Sequence, residues 1–195
     1  MNIIFATNNE NKVAEIKAVV PPHINIISLK DAGIDIDIPE PHDTLQANAQ
    51  EKAATIYKLT GSGCFSEDTG LEVEALDGAP GVHSARYAGE DKAFDKNMDK
   101  LLTNLEGAQN RSAQFRTVIC LVQDDGKEHY FEGICKGTII KERKGSKGFG
   151  YDPVFVPEGA TQTFAEMSME EKARYSHRRK ALDGLVTFLN SLPLK

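Results

Sequence analysis

The run Ile3-Ile4-Phe5-Ala6 passes through Thr7-Asn8-Asn9-Glu10-Asn11-Lys12 into a segment whose Val13, Ile16, Val19 and Val20 share one helical face. Four apolar residues are too few for a helix and fit a buried strand, so the chain opens as strand, loop and helix, closed by Pro21-Pro22. That opening confines the chain to architectures that mix the two element types, with a polar loop at the strand-to-helix junction. Ile24 to Leu29 alternates as a second strand. Asp35 to Pro41 reads as extended, because each proline steers its predecessor away from helix, and Glu40 is held between two of them.

Helical spacing returns from Asp43 to Leu59, with Leu45, Ala49, Ala53 and Ile56 inward and Asn48 and Lys52 on a flank of that face, before Gly61 to Gly63 ends it. Cys64-Phe65-Ser66 then leads a strand into Glu67-Asp68-Thr69-Gly70. Phe94, Met98, Leu101, Leu102 and Leu105 mark a third helix with Gly107 as its stop. Gln114 to Val122 and Glu128 to Cys135 read as strands joined by a hairpin turn at Asp124-Asp125-Gly126. A glycine-rich loop, Gly145 to Pro153, precedes a short strand. Ser168-Met169-Glu170-Glu171 has capping-box form, and Ser176 stands as cap of a final helix with Leu182, Leu185, Val186 and Leu189 as its stripe.

Composition excludes several classes. With 195 residues, 40% hydrophobic and 27% charged, the chain fits one domain of ordinary globular usage. Its net charge of −6 argues against nucleic-acid binding through global phosphate attraction. No apolar run reaches the length of a signal peptide or a membrane span, and Cys64, Cys120 and Cys135 form no Cys-x-x-Cys pair. The expectation is a cytoplasmic protein with reduced thiols and no membrane partner.

Three polar clusters carry chemistry. The Thr7 to Lys12 loop meets a helix N-terminus, where backbone N–H groups and the helix dipole favour an anion, although it lacks the glycines of a Walker or dinucleotide loop. Glu40 and Glu67-Asp68 offer oxygen ligands of the kind that hold Mg²⁺ together with water and phosphate oxygens, and a carboxylate there can take the proton of an attacking water. Ser176-His177-Arg178-Arg179-Lys180, with Lys172 one turn upstream, makes a basic corner. Phe149, between two glycines, can present its ring to a flat ligand, and Asp152 can accept from a purine N–H. Together the clusters read as a site for a nucleoside triphosphate.

In motif order the chain carries Phe5-Ala6-Thr7-Asn8-x-x-x-Lys12, Asn48-Ala49-x-x-Lys52-Ala53, Glu67-Asp68-Thr69-Gly70-Leu71, Gly81-Val82-x-Ser84-Ala85-Arg86-Tyr87-Ala88-Gly89, Gly148-Phe149-Gly150-Tyr151-Asp152-Pro153, Phe164-Ala165-Glu166-Met167 and Ser176-His177-Arg178. In this order they resemble the inosine triphosphate pyrophosphatase family, from Ile3 to about Leu189. The resemblance implies an elongated, two-lobed α/β fold over residues 1–195, with a central mixed β-sheet flanked by helices, an active cleft between the lobes and a homodimer. It implies Mg²⁺-dependent hydrolysis of ITP, dITP and XTP to the monophosphate and pyrophosphate.

By the same resemblance Thr7, Asn8, Asn9, Glu10, Asn11 and Lys12 hold phosphates, as do Lys52 and Lys172. Glu40 and Asp68 bind the metal, and Asp68 is the general base. Thr69 contacts substrate, Phe149, Gly150, Tyr151 and Asp152 embrace the base, and His177 and Arg178 read the purine edge. Two other readings stand beside this one: a pyrophosphatase for pyrimidine or other modified triphosphates on a related fold, and a nucleotide-sensing protein without turnover.

Overall fold

A computed structural model describes residues 1–192. Its strands are β1 (Asn2–Phe5), β2 (Asn25–Ser28), β3 (Cys64–Val73), β4 (Pro80–Gly81), β5 (Ser112–Val122), β6 (Glu128–Ile139) and β7 (Phe155–Pro157). Its helices are α1 (Glu10–Lys17), α2 (Leu45–Thr60), α3 (Phe94–Asn104), α4 (Met169–Tyr175) and α5 (His177–Ser191). The sheet order is β2-β1-β3-β5-β6-β7, with β4 paired to β3. β1 runs parallel to both β2 and β3, while β3–β4 and β6–β7 are antiparallel, so the sheet is mixed and the fold is α/β.

The chain divides into two compact units: Met1–Asp68, Thr117–Gly133 and Arg178–Lys195 form the first, Thr69–Arg116 and Ile134–His177 the second. In the first unit the strands are apolar on both sides. Ile3, Phe5, Phe65, Ile119 and Leu121 pack with Ile16 of α1 and with Ala181, Leu182, Leu185 and Leu189 of α5. The alternate residues Ala6, Cys64, Cys120 and Val122 pack with Ala49, Ala53 and Ile56 of α2. Because successive strand residues point to opposite faces, α1 and α5 cover one face and α2 the other. Phe5 and Phe65, paired in register, stack at 4.5 Å between ring centres and contribute about 0.5–1.5 kcal/mol beyond their buried area.

The second unit is one-sided. Leu71, Val73, Ala113, Phe115, Cys135 and Ile139 face a core closed by Met98, Leu101 and Leu105 of α3 and by Phe155 and Phe164. On the other face Gln114 Nε2 donates to Glu72 Oε2 at 2.7 Å. The Asp124-Asp125-Gly126 turn joins β5 to β6 as its residue types require, with Gly126 at φ +80°. All three cysteines are buried free thiols, and burial pushes Cys64 and Cys120 up to about 12. Among the described residues no helix is long and apolar enough to cross a membrane.

Two local expectations gain detail and one shifts. The extended stretch before α2 belongs to no strand, since Pro39 and Pro41 have no N–H to pair. Ser176 precedes the first residue of α5, as expected of its cap, and also ends α4, its N–H donating to Lys172 O at 3.0 Å. Asn48 and Lys52 lie on the buried face of α2, at 1% and 7% exposure, and not on its flank.

Candidate active site

In the first unit β1 lies between β2 and β3, parallel to each: the chain passes from β1 through α1 to β2 on one side and then through α2 to β3 on the other, so the strand order reverses at β1. Ligands of α/β folds bind beyond the carboxyl ends of strands at such a switch point. The last register pair of β1 with β3 is Phe5 with Phe65, so Glu67 and Asp68 of β3 extend past the end of β1. The Thr7 to Lys12 loop leaves β1 at the same level.

That loop is organised by its own side chains. Asn9 caps α1, its Oδ1 accepting from Asn11 N at 3.0 Å and Lys12 N at 3.2 Å. Thr7 Oγ1 accepts from Asn9 N, and Asn8 Nδ2 donates to Ile36 O at 2.7 Å. Glu10 instead pairs on the surface with Lys30, whose ammonium holds its carboxyl below the usual range. Lys12 is aimed inward, its Nζ 3.0 Å from Glu67 Oε1.

Two buried charge clusters follow. Lys52 Nζ bridges the two predicted metal ligands, donating to Glu40 Oε1 and lying 3.4 Å from Asp68 Oδ1. Asn48 fixes the Glu40 segment by gripping His42 twice, Oδ1 accepting from its N–H at 2.9 Å and Nδ2 donating to its carbonyl at 3.1 Å. Asp68 Oδ2 is buried without a hydrogen-bond partner. Burial pushes the Asp68 carboxyl up, outweighing Lys52 and Lys12, and Glu40 adds to the rise. Burial opposes the charge on Lys52, yet Asp68 and Glu40 hold its ammonium more firmly charged than an ordinary lysine.

The second cluster is centred on Glu67. Arg178 Nε donates to Glu67 Oε2 at 2.8 Å, and its Nη1 pairs with Glu15. Burial works against the Glu67 charge, but Arg178 and Lys12 prevail and hold its carboxyl well below the usual range. Glu15, the grip of Asn48 on His42 and the pairing of Glu67 are not legible in the sequence. Glu15 lies on α1 one turn from Lys12, but only the return of α5 brings Arg178 to it.

The second unit contains Phe149, Gly150, Tyr151 and Asp152, the residues expected at the base. Asp152 Oδ2 accepts from Phe149 N at 3.0 Å and from Lys172 Nζ at 2.6 Å. Lys172, expected at the phosphates, is thus paired with Asp152, and its ammonium lies 5.3 Å from the centre of the Phe149 ring. Gly148 permits this closure: at φ +73° a Cβ there would sit 2.0 Å from Asp152 Oδ2. Gly150 sits at φ +61°. Tyr151 turns into the core, its hydroxyl donating to Ser84 O at 2.7 Å. His177 is buried and stacks on Phe115 at 4.7 Å. Thr69 is half-buried on β3. In this unit the structure brings together Phe149, Asp152 and Lys172. In the first it gathers Lys12 with Glu67 and Arg178, and Lys52 with Glu40 and Asp68.

Residues 3–188 match the model of the Ham1 family. A dITP/XTP pyrophosphatase of Flavobacterium psychrophilum is 52% identical over 98% of this chain and 100% of its own length. A protein of the same name from Porphyromonas gingivalis is 54% identical over 96% of each. Among solved structures, the Ham1 protein of Staphylococcus aureus matches with a TM-score of 0.87 at 37% identity, covering 97% of this chain and 98% of that one. A HAM1 protein from Coxiella burnetii matches at 0.88 and 36%, covering 98% and 100%. With a family model spanning nearly the whole sequence and relatives at half identity end to end, the chain belongs to the Ham1 family.

Proposed function

We propose that this protein hydrolyses non-standard purine nucleoside triphosphates, ITP, dITP and XTP, at the α–β phosphoanhydride bond, releasing the monophosphate and pyrophosphate, and that it requires Mg²⁺. The observation that carries the reading is the pair of carboxylates, Glu40 and Asp68, meeting on the buried ammonium of Lys52 with Asp68 Oδ2 unpartnered. Its relatives are named for two of these substrates, dITP and XTP.

The donor set suits magnesium. Among the described residues no group of three His, Cys, Asp or Glu side chains is gathered to enclose a cation. Glu40 and Asp68 would supply two oxygens and leave the remainder of the shell to water and phosphate, the coordination Mg²⁺ prefers. When bound, the ion neutralises charge on the phosphate oxygens. Lys12 and Lys52 add fixed positive charge where the transition state spreads negative charge over those oxygens. Asp68 takes the proton of the water whose oxygen attacks the α-phosphorus, and the α–β bridging oxygen departs with pyrophosphate. A base whose conjugate acid is raised toward the working pH is the better match to that task, and burial moves Asp68 in that direction.

Base selection falls to the second unit. Phe149 offers a ring, Lys172 a donor for O6 and Asp152 an acceptor for N1–H, the reverse of the pattern on adenine. A site whose buried polar groups go unpaired with the wrong base discriminates by about 10⁴-fold or more. The same reading includes a homodimer, checked by sedimentation for twice the chain mass, and action on the free nucleotides of the cytoplasm.

The deciding experiment is a substrate panel with Mg²⁺, measuring pyrophosphate and orthophosphate separately. Pyrophosphate is expected from ITP, dITP and XTP far faster than from ATP, dTTP or UTP. Equal or absent turnover across the panel overturns the reading, and a preference for dTTP or UTP moves it to pyrimidines. Asp68→Asn is expected to lower kcat about 10²–10⁴-fold with nucleotide binding largely kept, whereas a sensor would keep its function in the cell.

A further inference from the structure

Phe94 is the first residue of α3, and its spacing from Met98 and Leu101 places it on the stripe that faces the core. The core stops short of it. Met98 and Leu101 are buried, while Phe94 is 41% exposed and lies outside the packed cluster of its unit. Its ring instead faces the glycine-rich loop, 6.1 Å from the centre of the Phe149 ring at an interplanar angle of 46°.

Both partners of this contact are held in place. Arg143, two residues before Gly145, grips the start of α3: Nη1 donates to Asp95 Oδ1 at 2.7 Å, and Nη2 donates to Asp95 O at 2.9 Å and to Asp99 Oδ1 at 2.6 Å. The loop after Arg143 is tied down through Lys144, whose N–H donates to Pro153 O and whose carbonyl accepts from Thr163 Oγ1. Gly145 sits where a Cβ would meet the Ala165 backbone at 2.3 Å. The exposed Phe94 ring therefore meets a half-buried Phe149 ring whose centre lies 5.3 Å from the Lys172 ammonium of the Asp152–Lys172 ion pair.

We propose that Phe94 contacts the substrate base, as the second aromatic of the platform that begins with Phe149, and so helps to set the affinity for flat purine rings. The inference rests on the assignment of Phe149 to the base. Stacking on an aromatic residue is worth about 1–3 kcal/mol per base by alanine substitution, and 1.4 kcal/mol is a tenfold change in affinity.

The test compares wild type, Phe94→Ala, Phe94→Leu, Phe94→Tyr and Phe149→Ala in steady-state hydrolysis of ITP and XTP, together with inhibition by inorganic tripolyphosphate, which has no base. Phe94→Ala and Phe94→Leu are expected to raise KM about tenfold while tripolyphosphate inhibits as in wild type, and Phe94→Tyr to stay within about twofold. The leucine variant keeps the apolar bulk, so the result does not hinge on a folding defect in the alanine variant. An unchanged KM in the Phe94 variants with a raised KM in Phe149→Ala overturns the inference and leaves the base platform standing. Unchanged KM in both sets removes the platform and the inference with it. Tripolyphosphate inhibition weakened in parallel with KM overturns the inference in favour of a purely structural role.

Discussion

Glu67 is the residue on which most of the charge chemistry of the first unit turns. It is buried to 1% exposure, yet remains a carboxylate because Lys12 and Arg178 each neutralise one of its oxygens. Removing one partner of a buried pair is costly because it strands the others, by about 3–5 kcal/mol. Glu67→Gln leaves Arg178 with Glu15 and leaves Lys12 without its carboxylate. The variant is expected to unfold roughly 10 °C lower by calorimetry, and to bind phosphates differently, since the Lys12 ammonium loses the group that aims it. A melting temperature unchanged within 2–3 °C would refute the buried-pair account. An acidic dipeptide at a strand end was visible in the chain, but the division of labour within it was not. Asp68 shares Lys52 with Glu40, whereas Glu67 takes Lys12 and Arg178, because neighbouring strand residues point to opposite sides.

At the scale of elements, a helix face and a loop each hold one of the candidate residue clusters. α2 buries Asn48 and Lys52 along with Leu45, Ala49, Ala53 and Ile56, so its apolar stripe includes a polar patch that the pattern of hydrophobic residues alone assigns to the flank. Lysine is rarely buried unless paired, and its partners come from a proline-flanked segment and from β3, which helical spacing cannot reveal. The glycine-rich loop was legible as a loop, and its closure onto Asp152 was not. Gly148→Ala places a methyl group against Asp152 Oδ2 at a backbone angle alanine disfavours. The expected outcome is a loss of base preference, read as an ITP to ATP ratio of kcat/KM falling at least tenfold, with tripolyphosphate inhibition kept. A ratio unchanged in a folded variant would separate Asp152 from base selection.

For the whole molecule, the buried carboxylates give stability opposing dependences on pH. The Glu67 carboxyl is held below its ordinary value, so its contribution is complete above the pH at which a free glutamate ionises, near 4.5, and drains away as pH falls further. Asp68 has the reverse sign. Its carboxyl is raised above the ordinary 3.8, the native state holds the proton more tightly than the unfolded chain, and stability declines as pH rises through that window. Urea midpoints between pH 3 and 7 are therefore expected to fall on the acid side in wild type. They should fall much less in Glu67→Gln, and Asp68→Asn is expected to gain stability relative to wild type at pH 7. Parallel pH curves for all three proteins would contradict both assignments.

The sequence by itself determined the element order, because strand and helix periodicities, glycine stops and the Ser168–Glu171 capping box are local signals that tertiary contacts reinforced here. It also determined the inventory of reactive groups, since those groups recur at family spacing. Tertiary structure decided pairing and burial. Lys52 reaches Glu40 and Asp68, Arg178 reaches Glu67 across 111 residues of chain, and Lys172 closes on Asp152. Whether a charge is solvated or held in the interior depends on which counter-charge the folded chain returns to it. Coulomb attraction and desolvation act through space, and sequence separation carries no record of that distance. The same holds for Phe94, whose register matches the core stripe while the edge of the core leaves its ring facing Phe149.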